Sequence, residues 1–165
     1  MDAVEFTALV HQHGDAIRAF LWRRTAGLDV GVSATEDIEA EVWATAWQKN
    51  ESIPEDKEVQ LPWLYAIARN HTANHIRKTV NRRNKIAHLF SSEPASSTES
   101  IVLADLDLQR AFESLSAGER EVMTLSVWED LSPSQIAEIL GVSANAISMK
   151  LFKARQKISE ILERN

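Results

Sequence analysis

The sequence predicts an all-α fold: two small helical domains joined by a flexible linker, the C-terminal one containing a helix-turn-helix. Three observations carry this expectation. Apolar residues recur at helical spacing along most of the chain, and no window sustains the alternation of a strand between turn signals. Residues 91–100, SSEPASSTES, are small, polar and proline-containing, with nothing to bury. Around Gly141, cap signatures stand on both sides of a glycine turn. The 165 residues, 44% apolar and 25% charged, suffice for two modules with packed cores. The expected divisions are a first domain over 1–90, a linker over 91–102 and a second domain over 103–165.

A first helix is expected from Val4 to Arg24, with Phe6, Leu9, Val10, Ile17, Phe20 and Leu21 as its apolar stripe. Thr25 to Ala34, containing Gly27 and Gly31, interrupts it. The second helix is expected to start at Ser33, which has Glu36 at capping-box spacing, and to reach Gln48. Lys49 to Gln60 is polar, holds Pro54 and several acids, and reads as an exposed loop. A third helix then runs from Pro62 into a basic segment. Beyond the linker, four short helices are expected over 103–114, 117–129, 133–140 and 144–163.

The net charge of -6 opposes a protein that coats nucleic acid unaided, because such binding is driven by phosphate neutralisation. The distribution of charge matters more than the sum. From Leu61 to Ser92 the charged residues are Arg69, Arg77, Lys78, Arg82, Arg83 and Lys85, with no acid; from Ala144 to Lys157 they are Lys150, Lys153, Arg155 and Lys157, again with none. An acidic chain that gathers its base into two acid-free stretches points to nucleic-acid contact there. No apolar run approaches the ~20 residues that cross a bilayer, and the opening stretch MDAVEFTALV lacks the basic region of a signal peptide. A cytoplasmic protein without membrane insertion is therefore expected. The absence of cysteine excludes disulfides and thiolate metal sites.

The helix-turn-helix is expected over Leu131 to Lys157. Ser132 caps its first helix, with Pro133 in the first turn and Gln135 completing the box; Ile136, Ala137, Ile139 and Leu140 form the buried stripe. Gly141 ends that helix and Ser143 caps the next. On the second helix, Ile147, Leu151, Ala154 and Ile158 share one sector and must face the partner helices. Asn145, Met149, Phe152, Lys153 and Gln156 lie opposite, where a recognition helix meets the major groove. Asn145, Ser148, Met149 and Lys153 are candidates for base edges. Lys150, Arg155 and Lys157 suit phosphates.

A family resemblance narrows this reading. TEDIEAEVWATAW (35–47) and LPWLYAIARNHTANHIRK (61–78) resemble two signature stretches of the core-binding and promoter-melting region of bacterial RNA polymerase sigma factors. LSAGEREVMTLSVWEDLSPSQIAEILGVSANAISMKLFKARQKI (115–158) resembles the region that binds the upstream, minus-35 promoter element. The stretches keep the family's order and spacing, and the direct passage between the two regions resembles the extracytoplasmic-function group of the sigma-70 family. The resemblance implies a sigma factor that binds core RNA polymerase and directs promoter-specific initiation, with promoter DNA and an anti-sigma factor as further partners.

It also implies roles for residues. The helix bearing Glu36, Asp37, Glu39 and Glu41 docks on a coiled coil of the polymerase's largest subunit, with Glu36, Asp37 and Glu41 as candidates; acids in these first turns also suit the helix dipole. Ala40 stands where the family often has glutamine. Asn70, Asn74, Arg77, Lys78 and Asn81 are the candidates for the minus-10 element, since amides read base edges and basic groups hold phosphate. The loop Lys49 to Gln60 would hold a base extruded from the opening duplex. Asn74 replaces a commonly acidic residue and His71 a commonly apolar one. For the minus-35 element the candidates are Asn145, Ser148, Met149, Lys150, Phe152, Lys153 and Arg155. Ser148, Met149 and Lys150 replace a basic residue, a serine and an arginine of the family, so the family's common minus-35 sequence is not expected to carry over unchanged.

Enzymatic readings find little support. His71 and His75 are four apart as in zinc metalloproteases, but HTANH lacks the general-base glutamate and no third ligand is evident. With no Gly-rich phosphate loop and no serine-nucleophile motif, neither enzyme activity nor a cofactor nor a metal is expected. The alternative function is a stand-alone helix-turn-helix transcriptional regulator whose N-terminal half senses a ligand or dimerises.

Overall fold

The computed structural model describes residues 1–25, 31–90 and 106–164, with side chains described outside 31–33 and 82–90. Every regular element among the described residues is helical: α1 (Ala3–Thr25), α2 (Gly31–Gln48), a 3-10 turn at Asn50–Ser52, α3 (Lys57–Phe90), α4 (Leu106–Glu113), α5 (Ala117–Val127), α6 (Pro133–Leu140) and α7 (Ala144–Leu162). They divide into two compact units, Met1–Ile101 and Val102–Asn165. The expected linker over 91–102 lies outside the described residues.

In the first unit α1, α2 and α3 pack pairwise on one another. Ile17, Phe20, Leu21, Ile38, Val42, Leu64 and Ala68 are buried between them, and the Phe20 ring stacks on Tyr65 with centroids 4.8 Å apart. The α1 stripe departs from expectation at its start, where Phe6 and Val10 are half-buried while His13 continues the buried line from Leu9 to Ile17. Phe6 instead joins Trp43 and Trp47 of α2 in an edge cluster, with ring centroids 6.3 and 5.0 Å away. Burial lowers the His13 pKa and keeps the ring neutral; Nε2 has no partner of full hydrogen-bond geometry, and neighbouring Gln60 only partly offsets the burial.

Two boundaries in this unit differ from the sequence reading. The α2 backbone is already helical at Gly31, two residues before the expected cap at Ser33, whose side chain lies outside the described residues. Helix α3 begins at Lys57, so the last third of the expected loop is helix and Pro62 falls inside it. The reason is Asp56, whose Oδ1 accepts the Glu58 N–H at 2.9 Å and whose carbonyl accepts the Val59 N–H at 3.1 Å. That capped turn satisfies the first amides before the proline is reached.

The second unit is organised by α7, which packs on α4, α5 and α6. Ile147, Leu151 and Ala154 are buried as expected, with Ile158 half-buried. The Ser132 and Gln135 capping box forms in full, Ile136 and Ala137 are buried, and Ile139 and Leu140 are half-buried. Gly141 is left-handed at φ 66, with the Val142 N–H returning to the Ala137 carbonyl at 3.1 Å. Ser143 then accepts the Ala146 N–H and starts α7. A second full capping box, Ser116 with Glu119, starts α5. That helix ends at Val127, two residues short of expectation. Asp130 takes a left-handed φ of 52 and the Leu131 N–H returns six residues to Leu125.

The Gly141 turn separates backbone strain from crowding, because a Cβ there meets nothing within 4 Å. Gly141→Ala is expected to cost about 1 kcal/mol from the positive φ alone and Gly141→Asn less, since Asn tolerates this region. Hydrogen exchange of the α6 and α7 amides in the full chain measures both.

Candidate nucleic-acid interface

Each unit presents a polar face whose side chains are free of its core. On α7 these are Asn145, Ser148, Met149, Lys150, Phe152, Lys153 and Arg155, all exposed, opposite the buried line of Ile147, Leu151 and Ala154. Asn145, Met149, Phe152 and Gln156 lie within a sector of about 60 degrees on the helical wheel. Met149 is 51% and Phe152 63% exposed, although both are large apolar side chains. The Ser148 hydroxyl donates back to the Ala144 carbonyl at 3.0 Å, so its hydrogen is already used within the helix. Lys150 extends its ammonium over the first turn of α5, where Nζ lies 3.3 Å from the point a Gly118 Cβ would take.

Lys157 has a different place from the one its charge suggests. Its ammonium donates to both carboxylate oxygens of Glu119 at 2.8 Å, tying α7 to the capping box of α5. The buried carboxylate is held at a pKa of about 2, first by Lys157 and then by the Ser116 N–H. The pairing spans 38 residues and leaves no local signature in the sequence.

In the first unit, Asn70, Asn74, Arg77, Lys78 and Asn81 of α3 are all exposed. Arg77 donates to the Asn74 amide oxygen at 3.3 Å, which orders the middle of this face. Behind it, Ala68, Thr72 and Thr79 are buried, and Ile76 and Val80 are half-buried. The Thr72 hydroxyl is satisfied by the Ala68 carbonyl at 2.8 Å, so burying a polar residue there leaves nothing unpaired.

The acids of α2 fall into two groups. Glu39 is paired with Arg18 of α1 through two oxygens at 3.0 and 3.1 Å, an arrangement that raises the Arg18 pKa. Glu41 accepts from His71 Nδ1 of α3 at 3.0 Å, while Nε2 of the same ring contacts the Thr45 hydroxyl at 2.8 Å. His71 therefore has both ring nitrogens occupied by α2. Glu36 and Asp37 are exposed. The segment between α2 and α3 borders a cleft of about 620 Å³ whose walls include Glu5, Leu9, Gln12, Ile53, Pro54 and Gln60. Among the described residues no helix is long and apolar enough to cross a membrane.

Residues 9–82 match the family model for Sigma-70 region 2, and residues 105–158 match that for Sigma-70, region 4. The ECF RNA polymerase sigma factor SigL of Mycobacterium tuberculosis is 31% identical over 157 residues, spanning 93% of this chain and 86% of that protein. NccH, an RNA polymerase sigma factor of Alcaligenes xylosoxydans xylosoxydans, is 26% identical over 98% of this chain and 89% of its own. Among solved structures, the sigma factor RpoE in complex with the anti-sigma factor NepR from Bartonella quintana aligns with a TM-score of 0.68 and 24% identity, covering 96% of this chain and 97% of that one. CnrH in complex with the cytosolic domain of CnrY aligns at 0.64 and 21%, over 99% and 91%. At these identities the structural likeness concerns the fold.

The Glu119 carboxylate predicts an acid response. Its folded pKa is depressed from 4.5 to about 2, so its contribution is present above about 4.5 and is lost as the pH falls toward 2. Glu119→Gln is expected to remove that part of the acid sensitivity and to cost about 1–2 kcal/mol at neutral pH. Amide resonances of α5 and α7 followed through a pH titration of both proteins test this.

Proposed function

The chain belongs to the sigma-70 family, in its extracytoplasmic-function group, and from that premise we propose how its two units divide the work of a sigma factor. It directs RNA polymerase to promoters. In our reading the first unit docks on core polymerase through α2 and engages the minus-10 element through α3, while α7 of the second unit anchors the minus-35 element. The observation that carries this division is the exposed α7 face, acid-free and opposite a buried stripe, in the same chain as a region 2 match.

On α2, Glu36 and Asp37 are exposed and Glu41 is half-committed to His71, so Asp37 is the leading docking acid, with Glu36 and Glu41 beside it. On α3, Asn70, Asn74 and Asn81 supply amides for bases, while Arg77 and Lys78 supply charge for phosphates. A base lost from the opening duplex costs a few kcal/mol; contacts to the freed strand offset this without nucleotide hydrolysis. The segment Lys49 to Gln60 assists in holding that base, and its acids favour contact with the base over contact with the phosphate. The protein regulates the polymerase and carries no catalytic centre of its own, so the bond-making belongs to the polymerase and the site of action is the cytoplasm. Because RpoE and CnrH, which share this fold, are each solved with a second protein, an anti-sigma factor covering these faces is a further proposed partner.

Mixing the chain with core RNA polymerase and a randomised promoter library tests the reading. Comigration with core and initiation from enriched minus-35 and minus-10 sequences are expected. A chain that shifts duplex DNA alone, and neither binds core nor initiates, overturns it in favour of a stand-alone regulator. Asp37→Arg is expected to weaken core binding about tenfold, whereas Asn145→Ala leaves core binding intact and lowers initiation from selected promoters about tenfold. Both side chains are exposed, so neither change should unfold the protein.

A further inference from the structure

The centre of the α7 face is apolar, which is an unusual way to meet DNA. Met149 and Phe152 expose half or more of their surface, while the hydrogen-bonding residues Asn145 and Lys153 lie on either side of them along the helix. Neither apolar side chain can hydrogen-bond a base edge, and the Ser148 hydroxyl beside them is turned back to Ala144. The major groove offers one apolar group to read, the C5-methyl of thymine. We propose that Met149 and Phe152 specify the minus-35 element by packing on thymine methyl groups, so that this protein's upstream element carries one or two thymines that are recognised for their methyls. The inference rests on the reading of α7 as the minus-35 helix and deepens it.

Three physical points favour duplex DNA as the occupant of this patch. The residues from Ala144 to Lys157 include no acid, and Lys150, Lys153 and Arg155 are all exposed, a charge complement to phosphate. The turn at Gly141 with the cap at Ser143 presents the first turns of α7, the part of a recognition helix that reaches base edges. Met149 and Phe152 are three residues apart, a rise of about 4.5 Å along the axis, which is close to the ~3.4 Å spacing of successive bases. The pair can therefore cover two neighbouring thymines, with Asn145 one turn earlier free to pair with an adenine edge.

The test uses holoenzyme reconstituted from the full chain and core polymerase. Its preferred promoters are first selected from a randomised library, and each thymine of the upstream element is then replaced by uracil, which deletes only the methyl. Binding is expected to weaken about fourfold at one or two adjacent positions, the factor for one buried methyl. In Met149→Ala/Phe152→Ala holoenzyme the same replacements should have no effect, while salt-dependent binding persists. An upstream element that is selected yet indifferent to uracil, or a uracil effect unchanged in the double variant, overturns the inference and leaves the minus-35 reading standing. A double variant that loses affinity for core polymerase while the uracil scan is flat assigns the pair to a protein contact and likewise overturns it. If no upstream element is selected at all, the minus-35 reading fails and the inference with it.

Discussion

A unit of four short helices has little core to share, and in the second unit that core is organised by one line of side chains on α7: Ile147, Leu151 and Ala154, buried against α4, α5 and α6. Helical periodicity allows one such stripe per helix. Once it is spent on the core, the opposite face of α7 must lie in solvent, and its side chains are free to be chosen for a partner. The Lys157 and Glu119 pair adds direction to this packing. It joins α7 to the first turn of α5 and so sets the rotation of the helix about its own axis. Rotation decides which residues the helix presents, so a structural ion pair and the face proposed for recognition are coupled through the same helix.

The first unit solves a related problem with polar ties at the edges of an apolar centre. Arg18 with Glu39 joins α1 to α2, and His71 with Glu41 and Thr45 joins α3 to α2. Pairs this exposed contribute little stability, so the stacked Phe20 and Tyr65 and the aliphatic side chains around them hold the unit together. What the ties provide is position. Glu41 is steered toward α3, which leaves Glu36 and Asp37 as the outward acids of α2. The same histidine stands next in sequence to Asn70, so the faces proposed for docking and for the minus-10 element are built on a shared bridge.

Local chemistry explains most of what the sequence made legible. The caps at Ser132 and Ser143 and the turn at Gly141 each depend on residues within a few positions of one another, so they could be read without the fold. The exposed face of α7 followed from the wheel because the helix is long enough for its buried stripe to be unambiguous. Errors arose where a local signal competed with another. Pro62 looked like a helix start, but the Asx turn at Asp56 already begins α3. The turn after α5 places Asp130 in a conformation that glycine would have advertised. Lys157 was placed with the phosphate contacts because its partner is 38 residues away.

That last correction changes the electrostatics of the second unit. With Lys157 bound to Glu119, the exposed cations left on α7 between Ala144 and Lys157 are Lys150, Lys153 and Arg155. Each phosphate contact contributes to affinity mainly through counterion release, and three cations on a chain of net charge -6 provide few such contacts. The thymine contacts proposed for the apolar patch add selectivity between bases but little attraction at a distance. In the proposed division of work the second unit obtains its occupancy from tethering: with α2 docked, the polymerase holds α7 near the upstream duplex at a high effective concentration. Weak intrinsic binding then becomes useful, because a protein unable to occupy promoters unaided acts only when it carries polymerase with it.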